Sequence, residues 1–356
     1  MKASPAETQK EMNPDNKLNI TDFLIQAASI PVVDVRSPAE YRKGHIPGAF
    51  NIPLFNDIER EAVGIKYKKE GRSEAILKGL QLTGPSMFLK LEAALKLVKD
   101  NKLLVHCWRG GMRSEAMAWL FSLGDIGTRI LDGGYKSYRH YIMERLSEKY
   151  KYIVLGGLTG SGKTEILKKM KNAGHQMIDL EGIACHKGSS FGSLGQPDQP
   201  TTEHFANLLF HELEKTDKNK IIWLEDESKN IGTVFMPDKF YIRLHEAPVI
   251  AIVMSVETRT PRLIKEYSAF PKDELISSVQ RITKRLGGDN TKEAITALEE
   301  NNFSKAIEIT LGYYDKTYMY GLKGREKEQI HYIHTKTDDI ETNVSKILKA
   351  AKKIGF

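Results

Sequence analysis

The strongest constraint on the fold is a phosphate-binding signature that directly follows an apolar strand. The strand YIVLG leads into GLTGSGKT, residues 157–164, which matches G-x-x-x-x-G-K-[ST] in the strand-to-helix context that this motif requires. In such a loop the glycines let the backbone wrap a phosphate, the lysine neutralises its charge and the threonine can ligate Mg²⁺. The segment predicts a diphosphate site with the ligands Gly157, Gly160, Gly162, Lys163 and Thr164.

Short apolar runs alternate with amphipathic ones in both halves of the chain. In the first half the apolar runs are IPVVDVR and KLLVHC, and in the second half they are QMIDL, KIIWLED and APVIAIVMSV. This alternation is typical of α/β layers in which helices cover a parallel sheet. From Pro271 to Leu322 the periodicity is helical, and a late strand, HYIHTK, and a final helix follow.

A length of 356 residues is more than one compact domain usually holds. We expect an N-terminal α/β domain at 17–146 and a parallel-sheet α/β domain at 150–356 that ends in a helical region. The mean hydropathy of −0.40 and the lack of a long apolar run or a signal-like start predict a cytoplasmic protein with no membrane partner. Two cysteines exclude a disulfide framework, and a net charge of +7 fits a polyanionic partner such as RNA.

A glycine-containing loop places one of the cysteines in an anion-binding setting. Cys107 ends the strand KLLVHC, and WRGGMRSEAMAWL opens the following helix. Converging backbone N–H groups, the helix N-terminus and two arginines favour the thiolate, which is the nucleophilic form. The predicted site consists of Cys107, Arg109, Gly110, Gly111 and Arg113. The alternative is a cysteine that packs as a small hydrophobic residue at the end of a buried strand.

Two segments of the second half could complete the phosphate site. Glu225 and Asp226 end the strand KIIWLED and could hold a metal ion, or they could be a solvated strand end. The segment HKGSSFGSLGQPDQP, residues 186–200, is too long for a simple turn. We expect it to be a substrate loop that uses His186, Ser189 and Ser190, with a merely exposed loop as the alternative.

Basic and aromatic residues near the C-terminus could contact RNA. Lysines recur along the last helix, from Lys346 to Lys353, and Arg281, Lys284 and Arg285 form a second basic stripe. Tyrosines at 313, 314, 318 and 320 could stack on unpaired bases. Solvated faces for the basic residues and internal packing for the tyrosines are the commoner outcomes.

Most of the first 145 residues resemble a rhodanese domain. The resemblance rests on DVRSPAEYRKGHIPGAFNIP, the strand-borne cysteine loop and LDGGY, which occur in this order. Its scaffold positions imply structural roles for Asp34, Arg36, Glu40, His45, Pro47, Gly48 and Asn51. The loop HCWRGGMRS has five residues between Cys107 and Arg113, one more than sulfurtransferase rhodaneses usually have. It also fits the HCxxGxxRS pattern of cysteine-dependent phosphatases, so that a phosphatase-like activity stays open.

The whole chain resembles the tRNA 2-selenouridine synthase family. The resemblance rests on CWRGG followed by GLTGSGKT, HKGSSFG, QPDQ and EDESKNIG, in that order. It implies replacement of sulfur by selenium in 2-thiouridine at the wobble position of tRNA, with selenophosphate as donor. It also implies an S-geranylated intermediate made from geranyl diphosphate.

The resemblance divides these reagents between the two loops. The phosphate loop would hold the diphosphate of geranyl diphosphate, with Mg²⁺ as a possible helper and no bound organic cofactor. The nest around Cys107 would hold selenophosphate, and Cys107 would carry selenium as an S-selanyl adduct. Two other functions stay open: a phosphatase-like domain fused to a small-molecule kinase, and a tRNA-binding protein without catalysis.

Overall fold

The computed structural model describes residues 16–355 and divides into two compact units between Glu144 and Arg145. Each unit is built around a five-stranded sheet whose neighbouring strands are all parallel. The predicted α/β architecture of both halves is therefore confirmed. The predicted bounds 17–146 and 150–356 put the boundary within a few residues of this division.

The first unit has the strand order β1-β5-β4-β2-β3. Its elements are β1 (Lys17–Leu18), α1 (Ile20–Ala27), β2 (Val32–Asp34), α2 (Pro38–Lys43), β3 (Phe50–Asn51), α3 (Asp57–Glu70), α4 (Arg72–Thr83), α5 (Met87–Leu97), β4 (Lys102–His106), α6 (Met112–Ser122), β5 (Gly127–Leu131) and α7 (Gly134–Arg145).

The register of the first sheet explains where Cys107 lies. Asp34 at the end of β2 is opposite His106 at the end of β4, so both strands end at the same edge of the sheet and Cys107 follows there. Successive side chains of a strand point to opposite faces. Cys107 accordingly shares an apolar core with Val105 and with Phe121 of α6.

The second unit has the strand order β12-β11-β6-β8-β7 and a separate antiparallel pair, β9 with β10. Its elements are β6 (Tyr152–Gly157), α8 (Lys163–Asn172), β7 (Gln176–Ile178), α9 (Leu180–Ala184), α10 (Thr202–Leu213), β8 (Ile222–Glu225), β9 (Asn230–Ile231), β10 (Val234–Phe235), α11 (Asp238–Glu246), β11 (Val249–Val253), α12 (Val256–Tyr267), α13 (Lys272–Arg281), α14 (Thr283–Leu286), α15 (Gly288–Glu299), α16 (Phe303–Leu322), β12 (Ile330–His334) and α17 (Ile340–Lys353).

The central strand β6 is the point where the chain changes direction across the second sheet. From β6 the chain runs to β7 and β8 on one side and then to β11 and β12 on the other. Ligands of open α/β sheets bind in the crevice at the carboxyl end of such a strand. The phosphate loop starts there, and helices α13 to α16 form the helical region predicted from Pro271 to Leu322.

Helices of both units are amphipathic or short rather than uniformly apolar. Within residues 16–355, none of them combines the length and the apolar character that a membrane span needs.

Candidate active sites

The cysteine loop is held from behind by the turn between β5 and α7. The backbone N–H of Tyr135 donates to the carbonyl of Cys107 at 2.8 Å, and that of Lys136 donates to the carbonyl of Trp108 at 3.0 Å. The two backbones touch, because a Cβ on Gly134 would lie 2.5 Å from the carbonyl oxygen of Cys107. The LDGGY block thus fixes the loop's shape.

The two glycines predicted to form the nest have different roles. Gly110 has a φ of +65°, and a Cβ there would lie 2.3 Å from the carbonyl oxygen of Leu131. Gly111 has a φ of −107° and open space around the position of a Cβ. Only Gly110 is required by the backbone geometry, whereas Gly111 begins α6 as its N-cap.

The surroundings of Cys107 favour its thiolate. The side chain is 3% exposed. Burial raises the pKa of the thiol, but this is outweighed by the neighbouring Ser114 hydroxyl, the charge of Arg113 and the backbone N–H groups of Arg109 and Ser114. The net pKa lies below the usual value for cysteine, as a nucleophile requires.

The two predicted arginines lie differently around the thiol. Arg113 is mostly buried, and its Nη1 lies 2.7 Å from Oε2 of Glu40. Glu40 also caps α2 in a capping box with Ser37. Glu40 therefore aims Arg113 at the loop, which the sequence did not indicate beyond a scaffold role. Arg109 is exposed, and only its backbone N–H contributes to the thiolate's stabilisation.

The other rhodanese-type positions form a buried support. Asp34 and Arg36 make an ion pair of 2.6 Å with almost no exposure, and the side-chain amide of Asn51 donates to the carbonyls of both residues. His106 is fully buried, with its Nε2 3.8 Å from Asp34. Burial lowers the pKa of His106, and its neutral ring packs inside the sheet.

The phosphate loop has the geometry that its sequence predicts. Gly160 and Gly162 have φ values of +80° and +77°, which glycine adopts without strain. Nζ of Lys163 donates to the carbonyl of Gly157 at 2.9 Å, and Lys163 begins α8. The N-terminus of a helix and the preceding N–H groups favour bound anions.

Helix α12 and helix α16 anchor this loop from outside the motif. The backbone N–H of Gly157 donates to the Tyr318 hydroxyl at 2.8 Å. Arg259 is almost fully buried and donates to the carbonyl of Thr159 at 2.8 Å, while it pairs with Asp315 at 2.6 Å. The loop is thus clamped at two of its residues.

The carboxylates of the predicted metal ligands Glu225 and Asp226 accept hydrogen bonds from groups other than the phosphate loop's threonine. Glu225 is fully buried and accepts from the backbone N–H of Leu180 at 2.8 Å. Burial, followed by the charges of nearby carboxylates, raises its pKa well above the usual value. The two oxygens of Asp226 accept from Tyr318 and Arg325. Neither residue is a solvated strand end.

The acidic residue next to Thr164 is Glu181 of α9. The Thr164 hydroxyl donates to Oε2 of Glu181 at 3.0 Å. Across residues 16–355 there is no group of three or more histidine, cysteine or acidic side chains arranged to hold a metal ion. A metal role for Glu225 and Asp226 stays a prediction.

A cavity of about 1400 Å³ opens beside the phosphate loop within the second unit. Ser189 and Ser190 of the predicted substrate loop line it together with Lys163 and Glu181. His186 is 8% exposed, and its Nδ1 accepts from the backbone N–H of Gly188, so it shapes the loop from inside.

Arg262 is a cation beside the phosphate loop that sequence reasoning missed. A Cβ on Gly162 would lie 3.2 Å from the guanidinium carbon of Arg262, which lines the cavity. Arg262 also pairs with Glu165 at 2.5 Å. Its position in the sequence could have indicated this role, because Arg262 lies on the helix that follows β11 and β11 is the neighbour of β6 in the sheet.

Some tyrosines of α16 form hydrogen bonds inside the unit, and another is exposed to solvent. Tyr314 and Tyr318 use their hydroxyls inside the unit, on Ser190 and on Asp226. Tyr320 is 77% exposed. Internal roles therefore account for Tyr314 and Tyr318, while RNA contact by this helix stays a prediction.

Comparison with known families agrees with the two loops. The family model described as the tRNA 2-selenouridine synthase AAA domain matches residues 150–351, and the rhodanese-like domain matches residues 20–141. The chain belongs to the tRNA 2-selenouridine synthase family. The resemblance inferred from the motifs is thus confirmed, and each loop lies inside its matched region.

Curated members of the tRNA 2-selenouridine synthase family are similar over most of their length. The protein from Sulfurovum sp. is 36% identical over 329 residues, which are 82% of this chain and 89% of the relative. The protein from Pseudomonas syringae pv. tomato is 36% identical over 328 residues, with coverage of 82% and 88%. Among solved structures, a rhodanese-related protein from Thermoplasma volcanium is 20% identical, covers 35% of this chain and 92% of that chain, and has a TM-score of 0.23.

Proposed function

We propose that this chain replaces sulfur by selenium in 2-thiouridine at the wobble position of tRNA. Selenophosphate is the donor, and an S-geranylated nucleoside made from geranyl diphosphate is the intermediate. The observation that carries the proposal is that this chain has two loops suited to binding an anion, each with a different functional group. One holds a thiol of lowered pKa, and the other holds a lysine at the start of a helix beside a large cavity. We place this reaction in the cytoplasm, where tRNA is available.

The phosphate loop supports the alkylation step. The sulfur of the C2 thiocarbonyl attacks the first carbon of geranyl diphosphate, the carbon–oxygen bond breaks, and the diphosphate leaves with the electron pair. The N3 proton of the nucleoside passes to solvent. Lys163, the loop N–H groups and Arg262 would stabilise the charge that develops on the leaving group. Alkylation makes C2 more electrophilic and turns the sulfur into a leaving group.

The cysteine loop supports the selenium step. The Cys107 thiolate adds to C2, the C2–S bond to the geranylated sulfur breaks, and geranyl thiolate leaves and takes a proton from solvent. Selenium of selenophosphate then adds to C2 and expels Cys107 as its thiolate. Water attacks phosphorus, the Se–P bond breaks with its electron pair going to selenium, and phosphate leaves selenium on the nucleoside. Arg113, aimed by Glu40, would hold the anionic donor.

The residues near Thr164 suit a Mg²⁺ ion better than the predicted pair does. Thr164 and Glu181 offer two adjacent oxygens at the start of α8, and such an ion would neutralise diphosphate charge. One oxygen of Glu225 accepts from Leu180, and the two oxygens of Asp226 accept from Tyr318 and Arg325. The proposed reaction needs no organic cofactor.

Nucleoside mass spectrometry tests the proposal. Thiolated tRNA is incubated with selenophosphate and geranyl diphosphate and with wild type, Cys107→Ala or Lys163→Ala. Cys185→Ala and Lys171→Ala, which change the second cysteine and an exposed lysine of α8, are the matched controls. We expect 2-selenouridine from wild type and both controls, only the geranylated nucleoside from Cys107→Ala, and neither product from Lys163→Ala.

Unchanged tRNA with wild type and intact reagents would show that the proposal is wrong. Hydrolysis of ATP and of an aryl phosphate without tRNA would then favour the phosphatase-like domain fused to a kinase. Binding of tRNA that survives Cys107→Ser, with no chemistry at all, would favour a tRNA-binding protein.

A further inference from the structure

The lining of the cavity changes from polar to apolar directly beside the phosphate loop. A Cβ on Gly160 would lie 2.8 Å from both Cγ and Cδ1 of Leu263, so the leucine side chain lies directly against the phosphate loop. Leu263 is 2% exposed and lines the cavity. A phosphate held by the loop therefore has a hydrocarbon wall as its immediate neighbour.

This wall continues along α12 away from the phosphate loop. Tyr267 lies one helical turn after Leu263, and its ring stacks on Phe191 with centroids 5.1 Å apart. Phe270 follows the end of the helix, and its ring would lie 2.8 Å from a Cβ on Gly195. The apolar residues that line the cavity on this side are Phe191, Leu194, Leu263, Tyr267, Phe270 and Ile282.

The segment 186–200 contributes its apolar side chains to this wall. Phe191 and Leu194 are 7% and 6% exposed, and both line the cavity. Its polar groups are used to fix its conformation, since Ser190 bonds the Tyr314 hydroxyl at 2.5 Å and the Ser189 hydroxyl accepts from the backbone N–H of Phe191. The predicted substrate loop thus presents hydrocarbon to the cavity beside the diphosphate.

We propose that this wall is the slot for the hydrocarbon chain of the diphosphate substrate and that Phe270, at its far end, limits the chain length accepted. The inference rests on the proposed function and adds its specificity determinant. In a prenyl diphosphate the charged group is joined directly to the apolar chain. The cavity has the same arrangement, because its apolar wall begins directly beside the phosphate loop. Burying each methylene contributes about fourfold in affinity, so the slot discriminates between chains that differ by one isoprene unit.

The test compares dimethylallyl, geranyl and farnesyl diphosphates as donors to thiolated tRNA. We expect wild type to favour geranyl over dimethylallyl by on the order of 100-fold in kcat/KM. Phe270→Ala lengthens the slot and should raise the farnesyl-to-geranyl ratio of kcat/KM by about tenfold or more. Ile264→Ala is the control, because Ile264 lies on the same helix and packs against the cluster that contains Leu263 but does not itself line the cavity. It should leave the ratio unchanged.

A binding measurement without tRNA gives a second readout. Burial of apolar surface makes the heat-capacity change of binding more negative. Calorimetry should therefore give a more negative value for geranyl diphosphate than for inorganic diphosphate, and Leu263→Ala should reduce the difference. Phe270→Leu replaces Phe270→Ala in both experiments if the alanine variant does not fold.

The outcomes separate this inference from the proposed function. If wild type transfers geranyl but the chain-length ratio is the same in the Phe270 variant and in Ile264→Ala, the inference alone is wrong. If ATP displaces geranyl diphosphate and Phe191→Ala weakens ATP more than geranyl diphosphate, the wall stacks a nucleobase instead. If wild type transfers no prenyl group from any donor, the proposed function and the slot are both rejected.

Discussion

Gly157 and Tyr318 lie 161 residues apart in the chain, and the backbone N–H of Gly157 donates to the Tyr318 hydroxyl at 2.8 Å. The hydroxyl in turn donates to Asp226 at 2.9 Å, and Arg325 holds the other oxygen of that carboxylate at 2.8 Å. The carbonyl of Gly157 accepts from Lys163. A buried chain of hydrogen bonds thus connects α16 to the lysine of the phosphate loop.

Tyr318→Phe should weaken diphosphate binding. The change keeps the ring but leaves the Gly157 N–H and one oxygen of Asp226 without a partner, which costs about 1–3 kcal/mol of folding free energy. We expect KM for geranyl diphosphate to rise about three- to tenfold with a smaller change in kcat, because ground-state and transition-state binding are weakened alike. Tyr320→Phe, on the exposed side of the same helix, is the control. An unaltered KM in Tyr318→Phe would contradict a positioning role.

Gly110→Ala and Gly111→Ala should differ sharply. A methyl group on Gly110 meets the carbonyl of Leu131 in a left-handed backbone conformation, whereas one on Gly111 meets nothing within 4 Å. Gly110→Ala should therefore cost about 2 kcal/mol or more of folding free energy and abolish selenation. Gly111→Ala should fold normally. Thermal unfolding and the nucleoside assay measure both effects, and equal behaviour of the two variants would refute the geometry.

Ser114→Ala should shift the pH dependence of selenation. The Ser114 hydroxyl is among the groups that hold the pKa of Cys107 below its usual value, so its removal raises that pKa. The thiolate fraction at a given pH then falls, and the rising limb of the rate profile moves to higher pH. Ultraviolet absorbance of the thiolate gives the same pKa directly. Ser122→Ala, at the exposed end of α6, should leave the profile in place.

Glu40→Gln should remove part of the acid sensitivity of the first unit. Burial raises the pKa of Glu40, but the hydrogen bond and charge of Arg113 outweigh this, and the net pKa is below its ordinary value of 4.5. A lowered carboxyl pKa adds stability that is fully present above pH 4.5 and is lost as pH falls through the folded-state value. The variant should be less stable at neutral pH by about 1 kcal/mol and should lose less on acidification.

Hydrogen exchange of the β4 amides in the full chain measures that stability locally. Glu70→Gln breaks an exposed pair with Lys66 and is the control. If the wild type and Glu40→Gln lose protection in parallel below pH 4.5, the ion pair with Arg113 has no part in acid sensitivity.

The two loops could be predicted from sequence because their geometry is local. Cys107 to Arg113 and Gly157 to Thr164 are each a strand end, a turn and a helix start, so neighbouring residues determine their shape. The alternation of apolar runs likewise predicted the parallel sheets, since it depends on which face of each element is covered.

The supporting residues depend on pairs that are far apart in the chain. Glu40 reaches Arg113 across 73 residues and Arg259 reaches Asp315 across 56, and no spacing rule indicates either pair. The burial of Glu225 could not be predicted from the sequence for a similar reason. Glu225 is still paired with Leu155 inside the sheet, so its side chain is buried rather than presented at the strand end.

The clamp on the phosphate loop also determines when the site can first work. A ribosome completes β6 and the glycine turn long before it reaches α16, because the clamp's hydroxyl is encoded 161 residues later. During that interval the nascent chain carries the signature without the groups that hold it. The loop therefore gains its full support only after α16 has been translated.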